Sequence, residues 1–399
     1  MYRKTKAVQL TDLTYNAVWY NNTLGYRCRC SETTGVFRKR TMSASSAYTL
    51  VSGVAFGYAT VAAVQTLSRL PPPVAMSNFN RILLNFGYVT LVAPSAVVPV
   101  IMWFETTKLQ AYLHEWRLFQ DNYDRVVGNS VGTATVEKRV NRIYRSIIVT
   151  LSIAGVAISY LSSTASNVLV LVCAIKSLSI MVFVAGFWLV GAIVIEATID
   201  GYKRKIQTDL DGNVMDFGLA ARSVEDYRLL WLQMSRLVHG AGHYMSATVT
   251  FCIFHTTVAV VLSVYALAVW GATLVALRRY EPLACAAVAL VCNATSLYVY
   301  CDRGYSQTRK CVDSVILLIL KMKSSARWTN SNYIQITMFL NAVNQYQPNV
   351  NVIGFYEINR GLLGSILSLL LTYLIVLVQL NSSFTTPSTA ERDYNTTTA

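Results

Sequence analysis

The chain has 399 residues and carries 34 lysines and arginines against 20 acidic residues, a net charge of +14, yet only 14% of it is charged and 54% is hydrophobic. With a mean hydropathy of +0.40 and the apolar residues gathered into long runs, an ordinary soluble domain is excluded. Helices that cross a bilayer are expected instead, since the hydrocarbon core needs roughly 20 residues of helix to pair every backbone polar group internally.

In chain order, residues 1–46 form a basic tail ending in Arg38-Lys39-Arg40, without the apolar segment of a signal peptide. A first span is predicted over 47–67, closed by Pro71-Pro72-Pro73, and a second from Ile82 to Phe104. Pro94 and Pro99 lie inside the second, where they should kink the helix and free carbonyls for polar partners. A polar, amphipathic stretch over 105–143 follows. Spans three (146–162) and four (168–196) are joined by a short Ser/Thr/Asn link. The second polar stretch, 197–245, carries Leu229, Leu230, Leu232, Met234 and Leu237 near helical spacing. Span five falls within 246–277 and is ended by Arg278 and Arg279; span six is 282–301. Residues 303–351 hold only short apolar runs, which suits helices packed beneath the membrane, and the last span is predicted over 352–380 before a Ser/Thr-rich tail, 381–399. The fold class is therefore all-α integral membrane with seven transmembrane helices, 47–302 holding the first six.

Seven spans put the termini on opposite sides. The tail, the two polar stretches and 303–352 together carry 27 basic residues, against five on the other side. The positive-inside rule places the amino terminus in the cytoplasm and the carboxyl terminus outside. The basic residues show neither interleaved aromatics nor zinc-knuckle spacing, so no nucleic-acid partner is expected. Cys28 and Cys30 lack a second pair, and His239 and His243 lack an acidic residue between them, so no metal site and no cofactor are expected.

On a helix, Gly361, Ser365, Ser368, Thr372, Val376 and Gln379 of the last span share one narrow stripe, with leucines and isoleucines around the rest. Such a face either packs tightly on another helix or lines water. Thr372-Tyr373, five apolar residues, then Gln379-Leu380 closely resembles the Thr-Tyr-five-hydrophobic-Gln-Phe signature of insect gustatory receptors, and the lead-in from Phe355 to Tyr373 is similar to that family's final helix. Length, seven spans, a cytoplasmic amino terminus and short outer loops agree with the resemblance along the whole chain.

The resemblance implies a tetrameric, ligand-gated channel for Na, K and Ca ions in the plasma membrane of a sensory dendrite, built from copies of itself or with related subunits. It also implies a pore lined by the last helix, a cytoplasmic anchor for which 225–245 and 303–350 are suited, and a small-molecule pocket in the outer half of each subunit. The family's terminal Phe is Leu380 here, and Leu374 replaces the acidic residue common in sugar sensors. The tastant is thus expected to be bitter or another non-sugar molecule. Ser365, Ser368, Thr372, Val376, Gln379 and Leu380 are the pore and gate candidates.

Lys176 is the lone basic residue deep in a span, about 12 Å from its outer end at 1.5 Å per residue. A lysine there either lines a polar cavity or is held internally. Tyr88, Tyr160, Trp188, His255, Tyr265 and Trp270 are further pocket candidates, because amphipathic rings suit small organic ligands, although such rings also serve core and interface. A G-protein-coupled receptor is disfavoured by its opposite orientation and by the absence of Asn-Pro-x-x-Tyr in span seven. A transporter is disfavoured because Glu196 and Glu357 lie at cytoplasmic ends, and no enzymatic cluster lies within the spans.

Overall fold

The computed structural model describes residues 78–128, 168–211, 219–276, 280–325, 330–348, 350–352 and 356–385, with further positions scattered over 54–65 and 136–149 and at Arg278. The first and third expected spans lie largely outside the described residues, as do Tyr160, the tail 1–46 and residues 386–399.

Seven helices and one strand pair are described: α1 (Asn78–Val127), α2 (Val168–Asp211), α3 (Leu219–Tyr244), α4 (Ser246–Ala276), α5 (Tyr280–Ser325), α6 (Asn330–Gln345), β1 (Asn351–Val352), β2 (Tyr356–Glu357) and α7 (Arg360–Thr385). Four of these, α1, α2, α4 and α7, are long and apolar enough to cross a membrane. The expected sixth span, 282–301, is the upper half of α5.

Length separates two layers. At 1.5 Å per residue, the 50 residues of α1 reach about 75 Å, and the 44 of α2 and 46 of α5 nearly as far, against about 30 Å of hydrocarbon. Each therefore leaves the membrane unbroken. The second span and the first part of the amphipathic stretch after it are one helix, and the sixth span runs without interruption into Ser325, so no boundary falls at 303.

Below the membrane the extension of α1 packs on α3 and that of α5 on α6, and Tyr202 of α2 donates its hydroxyl to Tyr227 O of α3 at 2.9 Å. The largest fully buried side chains concentrate there: Tyr202 and Ile206 of α2, Tyr227 and Trp231 of α3, Ile319 and Met322 of α5, Ile336 and Phe339 of α6. On α3 the buried face is Val224, Tyr227, Leu230, Trp231, Met234, Leu237 and Val238; Leu229 turns outward. That spacing is the helical stripe of a soluble core.

The start of the last span differs from the expectation of Val352. Residues 351–357 form an antiparallel pair, Asn351 opposite Glu357 and Val352 opposite Tyr356. Helix α7 begins only at Arg360, where Asn359 Oδ1 accepts the Leu362 N–H at 2.9 Å and caps it. Val352 is apolar because it is buried against the lower core, not because it meets lipid. Gly242 of α3 makes room for this pair: a Cβ there would overlap the Asn351 carbonyl oxygen.

Candidate pore face and ligand pocket

Helix α7 leans chiefly on α4 and α5 and touches the top of α1. Ile366 and Leu370 are buried in that contact, and Leu374, Leu377 and Asn381 are half-buried. At 100° per residue these five share one face, and Ser365, Ser368, Thr372, Val376 and Gln379 are centred about 180° away. All five stripe residues are exposed, as are Tyr373 and Leu380 on the flanks. Within the stripe, Ser365 Oγ donates to Gly361 O at 3.1 Å and Thr372 Oγ1 to Ser368 O at 3.0 Å, so these hydroxyls are satisfied by their own helix. The stripe thus lies on the exposed side of α7, opposite its contact with α4 and α5.

Both ends of α7 are tied. At the lower end, Nε and Nη2 of Arg360 donate to Asp302 Oδ1 of α5 at 2.9 and 2.7 Å. At the upper end, Tyr265 of α4 donates its hydroxyl to Asn80 Oδ1 of α1 at 2.8 Å, and Asn80 Nδ2 donates to Asn381 Oδ1 at 2.8 Å. Asn381 sits two residues beyond Gln379, so one amide relay joins three helices beside the outer end of the stripe. In the sequence Asn381 opens the Ser/Thr-rich tail, and Asn80 falls in the link before the second span. Neither announces a partner 301 residues away.

Of the pocket candidates, His255 bonds the stretch of α1 that carries Tyr88, and Tyr265 bonds Asn80 at the start of that helix. Pro94 has no N–H, so Thr90 O loses its helical partner. His255 Nε2 occupies that carbonyl at 2.9 Å, two residues from the half-buried Tyr88. With the proton on Nε2, Nδ1 is an acceptor, buried without a partner. One turn on, Ser177 Oγ of α2 donates to Val92 O at 3.2 Å and accepts the Ser95 N–H at 3.2 Å, while Thr60 and Ser95 share a hydroxyl bond of 2.9 Å. Lys176 adjoins Ser177 in sequence and is half-buried. Tyr265 and Trp270 meet edge to face, centroids 6.1 Å apart. Trp188 stands apart from this group: its ring faces Tyr300 at 6.4 Å, and it lines a cavity near the lower end of the bundle.

Glu105, which lies just past the apolar run of span two, carries a role that hydropathy does not flag. Buried to 6% exposure, it accepts the Ala247 N–H at 2.6 Å, the Thr248 N–H at 3.2 Å and the Thr248 hydroxyl at 2.6 Å. It therefore caps the first turn of α4 from a neighbouring helix, where an anion suits the free N–H groups.

These features define a multi-pass helical membrane protein. The profile of the family described as 7tm Chemosensory receptor matches residues 19–383, and the chain belongs to that family of plasma-membrane chemosensory receptors. It is 25% identical to Gustatory and odorant receptor 24 of Anopheles gambiae over 76% of this chain and 64% of the relative, and 23% identical to Gustatory and odorant receptor 22 of the same mosquito over 75% and 62%. The matched region thus spans less than two thirds of either relative. Gustatory and odorant receptor 21a of Drosophila melanogaster is 26% identical over 40% of this chain and 34% of its own length. The fold matches that of the olfactory receptor OR5 of Machilis hrabei, with a TM-score of 0.64 and 14% identity over 92% of this chain and all of that one, and its complex with eugenol at 0.63.

Proposed function

We propose that this protein is a subunit of a tetrameric, non-selective cation channel opened by a small organic molecule, with a bitter or other non-sugar tastant favoured. The observation that carries the reading is the orientation of α7. Its small and polar stripe faces away from its own subunit, while its apolar face holds it to α4 and α5. A polar face turned into lipid is costly, whereas four such faces around an axis enclose water.

Beneath the membrane, Leu317 and Leu320 of α5 and Ile334 and Met338 of α6 are exposed at 44% or more, opposite the buried faces of those helices. Apolar side chains presented in an aqueous layer suit contact between copies, the role expected of an anchor. The ligand is assigned to the upper half, around Tyr88, Lys176, His255, Tyr265 and Trp270. The amino terminus is assigned to the cytoplasm from the charge asymmetry.

The test is to express the chain alone in cells without native receptors and record membrane current while small organic molecules are applied. A ligand-evoked cation current in excised patches supports the reading. A response that reaches the membrane only through G-proteins, with no current in excised patches, overturns it.

A further inference from the structure

The grip of α7 on its own subunit loosens toward the outer end. Ile366 and Leu370 are 8% and 9% exposed, whereas Leu374 and Leu377, about one and two turns further out, are only half-buried. Beyond them the packing face ends in a polar residue, Asn381, which lies about 200° round the helix from Gln379 and about 3 Å along it. A side chain that fixes Asn381 therefore also fixes the direction in which Gln379 points. Asn80 of α1 is such a side chain: its Nδ2 donates to Asn381 Oδ1 at 2.8 Å.

Asn80 is held at both ends of its amide. It is 6% exposed, and Tyr265, which donates to its Oδ1 at 2.8 Å, is 1% exposed. With little water at hand to replace either partner, turning the amide costs both bonds. Tyr265 in turn is packed edge to face on Trp270, and both rings belong to the upper group to which the ligand is assigned. One buried amide thus stands between a pocket ring on α4 and the outer end of the stripe on α7.

We propose that Asn80 is a positioning residue of the gate: it holds the outer end of α7 back toward α1 and α4, away from the axis that the stripe faces, and it passes a displacement of Tyr265 on to Gln379. This rests on the reading of α7 as the pore helix. Without the bond from Asn80 to Asn381, the outer ends of four copies of α7 are free to lean toward the axis, and Gln379 becomes harder to reach from outside. An occupant of the upper pocket that displaces Tyr265 has to carry the Asn80 amide with the ring or break the relay. In either case Asn381 changes position, and Gln379 with it.

The experiment is done without ligand. The full chain carrying Gln379→Cys is expressed in cells and exposed to a membrane-impermeant methanethiosulfonate, and the rate of modification is read from the thiols left for a later gel-shift tag, with the chain lacking that cysteine as the blank. Adding Asn80→Ala, or separately Asn381→Ala, should slow modification about fivefold, the worth of one net hydrogen bond. Asn80→Asp and Asn381→Asp should each stay within about twofold, because one amide facing one carboxylate still bonds. Together they set two carboxylates face to face and should slow modification at least as much as alanine does. Surface biotinylation and size-exclusion profiles separate a moved gate from lost folding. An unchanged or faster rate in correctly folded Asn80→Ala, or a double aspartate variant no slower than its singles, would overturn the role of Asn80 and leave the pore reading standing. A Gln379→Cys that fails to react in the parent chain would overturn both together.

Discussion

Replacing Glu105 with alanine removes the acceptor for three donors at once: two backbone N–H groups in the first turn of α4 and the Thr248 hydroxyl. The hydroxyl can rotate toward a carbonyl, but the two N–H groups have no intrahelical partner at a helix start. Loss of a capping side chain costs about 1 kcal/mol, and a buried donor left unpaired about 1–3 kcal/mol, so Glu105→Ala is expected to destabilise the fold by about 2–5 kcal/mol. Glu105→Gln keeps one carbonyl oxygen of the same reach but turns an NH2 toward donors, so about half that loss is expected. The measurement is thermal melting of detergent-solubilised protein, followed by size-exclusion recovery after heating. The order of midpoints should be wild type, Gln, Ala. A cycle with Thr248→Val sharpens the test, because Thr248→Val should cost much less in the Glu105→Ala background than alone. If Glu105→Ala melts with the wild type, the cap contributes nothing and the argument from its geometry fails.

Single cysteines at Ser368, Thr372, Val376 and Gln379 should react with water-soluble thiol reagents during ligand application, whereas cysteines at Leu370 and Leu377 should stay protected; reaction on the leucine face alone would mean that α7 packs rather than lines a pore. In the same channel, Val376→Ser should leak current without ligand, by wetting an apolar ring, and Gln379→Glu should alter cation preference. Lys176→Met should shift or abolish the dose response at normal surface expression, and loss of the protein from the surface would make Lys176 a structural residue instead. Gly242→Ala forces its Cβ onto the Asn351 backbone, which cannot yield as a side chain would, so a loss of about 1–3 kcal/mol in stability is expected by melting, with Ala241→Gly as a comparison at the neighbouring position.

Much of the architecture was legible because lipid reads hydropathy directly. The apolar runs at 82–104, 168–196 and 246–276 lie on helices α1, α2 and α4, and the stripe from Ser365 to Gln379 follows from a period of 3.6. The hydrogen-bond role of Pro94 was also foreseeable, since a proline always strands the carbonyl four residues before it. What failed was the treatment of apolarity outside the membrane. Val352 belongs to a strand buried under the bundle, and hydropathy alone does not distinguish a residue shielded by protein from one facing lipid.

The sequence by itself determined that the chain is a helical membrane protein and that its last helix is two-faced, because periodicity and composition are local properties of the chain. Only the tertiary structure decided which face of α7 turns away from its own subunit, since that depends on where α4 and α5 stand. It also decided that Glu105 caps α4 and that Asn80 bridges Tyr265 and Asn381. These pairings join residues 142, 185 and 301 positions apart. A polar side chain looks the same in a sequence whether its partner is water or another helix, and packing alone makes that choice.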